Sequence, residues 1–251
     1  MKHAWKPCVW SLTPLLLAST ALVAVEADRP WRLSIGAGAA IAPKYPGSDS
    51  IAVVPAPLIE ARWHAAVLDT GRLGPPFVGV RLPLAANELT FFAGGALLLG
   101  RDGEDTPIRG QPDINNSFGA FAATEWTPGA SWLLVKALGT RDILDEQHGT
   151  QVQAQLLLRA PPTPHLLVQG GVGSVWLDQR AMNGWFGTVS YAPQAGLSEV
   201  HVVVETLIPL ASNWSFTARV VAARLIGDAA DSSLTEQSFQ LRTIGGVVYS
   251  F

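Results

Sequence analysis

From Ser238 to Phe251 the chain alternates between two faces without a slip. Phe239, Leu241, Thr243, Gly245, Val247, Tyr249 and Phe251 fall on one face; Ser238, Gln240, Arg242, Ile244, Gly246, Val248 and Ser250 fall on the other. A strand turns successive side chains to opposite faces, so a period of two builds one apolar, aromatic wall and one mostly polar wall. The stretch stops on an aromatic residue with no polar tail. A soluble sheet rarely presents Tyr and Phe on an edge strand, because such an edge recruits other chains. A transmembrane β-barrel has a use for it, since its strands face lipid and carry aromatic girdles at the interfaces.

The same pattern recurs upstream. Arg32, Ser34, Gly36, Gly38 and Ala40 alternate with Leu33, Ile35, Ala37, Ala39 and Ile41. Gln151, Gln153 and Gln155 alternate with Val152, Ala154 and Leu156; Gln169, Gly171 and Gly173 with Val168, Val172 and Trp176. His201 and Glu205 alternate with Val202 and Val204, and Thr217 and Arg219 with Phe216, Ala218 and Val220. Small or polar residues on one face and apolar ones on the other suit a polar lumen and an apolar exterior. Candidate strands are 31–42, 51–63, 65–82, 89–100, 117–127, 131–143, 150–160, 165–178, 199–210, 213–227 and 238–251. A single-chain bacterial barrel needs an even number. Segment 65–82 is the misfit, broken by Gly71, Gly74, Pro75, Pro76 and Pro83. The expected fold is all-β, a transmembrane antiparallel up-and-down barrel of about twelve strands, with ten as the alternative.

The first 27 residues read as a signal peptide. Lys2, His3 and Lys6 precede the mostly apolar stretch 9–25, and Val25-Glu26-Ala27 offers a cleavage site. Residues 28–251 would then form the barrel, without cysteine, because Cys8 lies in the signal. That excludes disulfides and thiol catalysis. Loss of Lys2, Lys6 and Glu26 moves the formal charge from −3 to −4, with 15 basic against 19 acidic residues. Nothing here is the basic footprint of a nucleic-acid binder. After residue 27 no apolar run reaches the roughly 18 residues of a membrane helix, so any crossing must use strands.

Connections fall into two sets. The short ones, 128–130, 161–164 and 211–212, read as periplasmic turns. The long ones, 43–50, 101–116, 179–198 and 227–237, read as outward loops holding Asp102, Glu104, Asp105, Arg109, Asp113, Asp228, Asp231 and Glu236.

The loops also carry a resemblance. Ser34-Ile-Gly-Ala-Gly-Ala-Ala-Ile-Ala-Pro-Lys-Tyr-Pro-Gly-Ser48, followed by Val54-Pro-Ala-Pro-Leu-Ile59, resembles the N-terminal signature of the MltA-interacting protein (MipA)/OmpV family of outer-membrane proteins. Arg109-Gly110 with Asp113-Ile114, Leu225-Ile-Gly-Asp-Ala-Ala-Asp-Ser232 and Tyr249-Ser-Phe251 resemble its central loop, its last long loop and its ending. Trp185-Phe186-Gly187 stands where the family has Tyr-Phe-Gly, and Ser233 where a Pro commonly follows. The resemblance implies the outer membrane of a Gram-negative cell. It implies a non-enzymatic scaffold between a lytic transglycosylase and a peptidoglycan synthase, or a surface adhesin or antigen. It further implies that Val247, Tyr249 and Phe251 form the signal read by the barrel-assembly machinery.

The remaining expectations concern sites. Gln151, Gln153, Gln155, Gln169, Glu205, Arg219, Gln240 and Arg242 should face the lumen, since a charge facing lipid costs about 2–4 kcal/mol near the midplane. Trp31, Trp126, Trp132, Trp176 and Trp214 sit near strand ends and should form an interface girdle against outer-membrane lipid. No catalytic residue, cofactor or metal site is expected. His64, His148, His165 and His201 show no pairing with serine, and no Gly-x-Ser-x-Gly elbow is present. Asp102/Asp105 and Asp228/Asp231 lack EF-hand spacing and read as solvated loops. Rival readings are a small porin or uptake channel, a soluble periplasmic β protein and a rim hydrolase.

Overall fold

The computed structural model describes residues 31–71, 75–84, 88–129, 132–144, 146–160, 163 and 166–251. The expected signal segment with Cys8, and His165, lie outside them. The strands are β1 (Trp31–Pro43), β2 (Ile51–Trp63), β3 (Ala66–Asp69), β4 (Phe77–Leu84), β5 (Leu89–Leu98) and β6 (Ser117–Trp126). They continue as β7 (Leu133–Asp142), β8 (Thr150–Arg159), β9 (Leu167–Leu177), β10 (Gly196–Ala211), β11 (Trp214–Leu225) and β12 (Phe239–Ser250). Each pairs antiparallel with its neighbours in sequence, and β12 returns to β1 to close a twelve-stranded barrel. Closure leaves no edge strand to recruit another chain.

Segment 65–82 is not one strand. Asp69 ends β3 by accepting the Gly71 N–H at 2.7 Å, and Thr70 Oγ1 accepts from the Ile59 N–H at 2.8 Å. Pro75 and Pro76 cannot donate ladder bonds, so pairing resumes only at Phe77. The split makes the count even and removes the ten-strand alternative.

Strict alternation fails near the start of β10. Counting back from His201, Leu197 should face inward and Ser198 outward. A bulge between Leu197 and Glu199 reverses both: Leu197 is exposed beside its cross-strand partner Trp176, while Ser198 and Glu199 are both buried. An extra residue in one strand shifts the parity beyond it.

The interior is only partly polar, contrary to the expectation of a polar lumen. Val67, Phe77, Phe92, Ala96, Phe121, Ala123 and Leu138 form an apolar core on the β3–β7 side, with Phe77 stacked on Phe121 at 4.3 Å. Leu134, Leu157, Val203, Val221 and Ala223 form a second cluster toward β11. A barrel of this size is narrow enough for opposing side chains to fill it.

Candidate functional site

Outside, nine strands carry exposed aliphatic side chains, among them Ile51 and Val53, which are two-thirds exposed, Val78, Leu156, Val172, Val202 and Leu241, and β5 carries exposed Phe91. β6 adds exposed Phe118 to the belt, while on β7 the outward Leu133 and Val135 are half-buried. At the end bearing the short turns lie Trp31, Trp126, Trp132 and Trp214, all exposed. Trp63 joins them, paired in register with Trp31. Its place at the end of 51–63 was the available signal, but it was not among the expected girdle residues. Tyr249 packs edge-on against Trp214 at 5.0 Å and against Phe251 at 4.7 Å, with Val247 exposed two residues earlier. Trp176 stands apart, at the loop end of β9.

Inside, the charged groups are matched. Arg219 Nε is 3.3 Å from Glu205 Oε1, both almost completely buried, and Gln169 donates to the other Glu205 oxygen. Gln169 in turn accepts from Arg159 Nε at 3.2 Å. Arg242 meets Glu199 at 2.5 Å, and the same carboxylate lies 3.0 Å from His201 Nδ1. The other imidazole nitrogen is 2.9 Å from Gln155. Lys136 faces Glu125 at 3.5 Å. Gln153 and Gln240 are buried and Gln151 half-buried on the same wall. Unpaired charges in such an interior would be strongly destabilising, so the network exists to neutralise itself. Among the described residues no serine hydroxyl is hydrogen-bonded to a histidine: His201 lies in the lumen, His148 in a loop and His64 at the opposite end.

The long loops form a lid, which sequence reasoning missed. Within 178–195 a helix, α1 (Gln179–Phe186), is capped by Asp178, whose carboxylate accepts the Ala181 N–H at 2.8 Å. A second short helix, α2 (Asp228–Asp231), lies in the last loop. Ala181, Met182, Trp185 and Phe186 pack on Ile114, Val175, Leu177, Leu225 and Ala229. Ser232 Oγ donates to the Phe186 carbonyl at 2.6 Å, and Arg101 Nη2 to that of Gly184 at 3.1 Å. Arg101 is buried, which lowers its pKa to about 10 and leaves it cationic at neutral pH.

Tyr45, from the N-terminal signature, is completely buried and donates to Glu236 at 2.8 Å. Burial first, then that carboxylate, pushes its phenol well above the ordinary range. Gly47 adopts φ 103°, open to glycine, and its carbonyl accepts from both Glu236 and Gln237. His148 packs edge-on against Trp185 at 5.8 Å and reaches the Asn115 carbonyl at 2.8 Å. Three of the four aspartates of the two pairs are engaged within the lid: Asp105 binds Lys44 at 2.7 Å, Asp102 caps Glu104, and Asp228 accepts from the Gln194 N–H. Beneath lies a cavity of about 90 Å³ bordered by Gln151, Gln153, Glu199, Arg242, Trp185 and Phe186.

The fold is similar to solved outer-membrane barrels. OmpT of Vibrio cholerae aligns over 90% of this chain and 99% of its own, at 8% identity and a TM-score of 0.41. An anion-selective porin from Comamonas acidovorans aligns over 88% and 98%, at 8% identity and 0.40. The translocator domain of the autotransporter NalP from Neisseria meningitidis aligns over 90% of both chains, at 12% and 0.39. No curated protein matches. Residues 35–251, which include the barrel wall, the buried Tyr45 and the lid loops, match the family described as MltA-interacting protein MipA, and the chain belongs to that family.

Proposed function

We propose that this protein is an outer-membrane β-barrel acting as a non-enzymatic scaffold, with a lytic transglycosylase and a peptidoglycan synthase as periplasmic partners. The observation that carries the membrane reading is the apolar belt around a closed barrel. Soluble monomers rarely expose apolar patches beyond about 300–600 Å². Burying each Val, Leu or Ile of such a belt in lipid yields roughly 1.5–3 kcal/mol. The family's name, MltA-interacting protein, supports the first partner.

The filled interior favours a scaffold over a channel: two apolar clusters, matched ion pairs and a loop lid occupy the bore. Crosslinking in intact cells, followed by identification of captured proteins, tests the partners. Recovery of no murein enzyme would overturn the scaffold reading. Steady single-channel currents in a planar bilayer would favour the porin, and release by osmotic shock without detergent would sink the membrane reading.

A further inference from the structure

Charged side chains in the strands almost all point inward. Arg32, Glu60, Arg62, Asp69, Arg81, Glu125, Lys136, Arg159, Glu199, Glu205, Arg219 and Arg242 share the interior wall with the buried positions flanking them. Among the described residues two charged side chains stand on the outer wall, Arg141 on β7 and Arg224 on β11. Both are exposed, both are arginines, and both lie at the loop end of their strands. Neither guanidinium has a hydrogen-bond or ion-pair partner among the described residues.

Their surroundings suit a headgroup. Arg224 is flanked in register by Val200 and Phe239, so its stem crosses apolar wall while its charge reaches the rim. Arg141 is flanked by Ala120 and Thr150, with Phe118 and Ile143 exposed just above. The opposite rim is built differently: it carries Trp31, Trp63, Trp126, Trp132, Trp214 and Phe251, and among the described residues no strand presents an outward charge there. An outward charge is tolerated near an interface, where its cost falls toward zero, and it gains when an anion neutralises it.

We infer that Arg141 and Arg224 bind the phosphates of lipid A in the leaflet around the loop end of the barrel. Arginine's planar fork matches phosphate oxygens in a bidentate way that an ammonium does not. The inference rests on the outer-membrane reading and adds a leaflet and a headgroup chemistry to it.

The test uses the purified barrel refolded into phosphatidylcholine vesicles containing either diphosphoryl or fully dephosphorylated lipid A, with bound lipid counted by native mass spectrometry. The wild type is expected to prefer the diphosphoryl form by about fivefold per arginine. Arg141→Gln with Arg224→Gln should erase the preference, and Arg141→Lys with Arg224→Lys should restore only part of it, because an ammonium supplies the charge without the bidentate fork. Equal binding of both lipids by the wild type, or an unchanged preference in the double Gln variant, overturns the assignment. Insertion is read separately by protection from protease. A barrel that inserts without preferring phosphate sinks this inference alone, whereas failure to insert in any vesicle sinks the outer-membrane reading and the inference with it.

Discussion

Gly38 stands directly opposite Gly246 across the seam where the first strand meets the last. A Cβ on Gly38 would lie 2.1 Å from the Gly245 carbonyl oxygen and 2.8 Å from Gly246 Cα, both backbone atoms that cannot swing aside. The seam therefore closes only because this position lacks a side chain. Gly38→Val should weaken closure by about 1–3 kcal/mol, the usual range for overpacking. Unfolding by guanidinium in lipid vesicles would measure it, and a midpoint equal to the wild type would show that the seam adapts.

Glu205→Ala removes the carboxylate serving both Arg219 and Gln169. The guanidinium would remain buried without a counter-charge, at a cost of about 3–5 kcal/mol. Replacing Glu205 and Arg219 together by Leu and Met should recover most of that loss. A double variant as unstable as the single one would show that packing, not charge, dominates there.

Tyr45→Phe keeps the buried ring but deletes the hydroxyl donating to Glu236. The loss is expected near 1 kcal/mol, and confined to the lid. Hydrogen exchange should quicken in 226–238 and stay unchanged in the strands. Uniform exchange across the molecule would mean the contact anchors nothing.

His148 ties the lid to pH. Burial lowers its pKa from 6.5, partly offset by the Asn115 carbonyl and by the Asp142 and Glu146 carboxylates. A lowered folded pKa means that the unfolded loop binds more protons, so stability rises with pH in that window. The contribution is complete above about pH 6.5 and is lost as pH falls through the lowered folded value. Lid protection factors, taken against the intrinsic exchange rate at each pH, should fall between pH 7.5 and pH 5, and His148→Phe should flatten that dependence. An unchanged pH profile in the variant would assign it to another group.

Phe251→Ser is expected to lower the amount of assembled barrel in outer-membrane fractions without altering the interior, because the exposed Phe251 ring packs edge-on against Tyr249 on the outer rim. Heat-modifiable migration of the assembled fraction gives the readout. Wild-type levels would show that Val247, Tyr249 and Phe251 are rim packing and nothing more.

The alternation along β8, β10, β11 and β12 was legible from residue order alone, because a strand's period of two is a local property of its backbone. It assigned Gln155, Glu205, Arg219 and Gln240 to one wall and Val152, Val204 and Leu241 to the other, and evenness pointed to the flaw in 65–82. Tertiary structure decided what met what. Tyr45 and Glu236 are 191 residues apart, and Phe77 on β4 stacks on Phe121 of β6 over the intervening β5. The bulge that turned Ser198 inward answers to the pairing of β10 with β9 and leaves no mark in composition. Such contacts depend on strand stagger and on loops crossing the mouth, which are long-range quantities that no window of neighbouring residues contains.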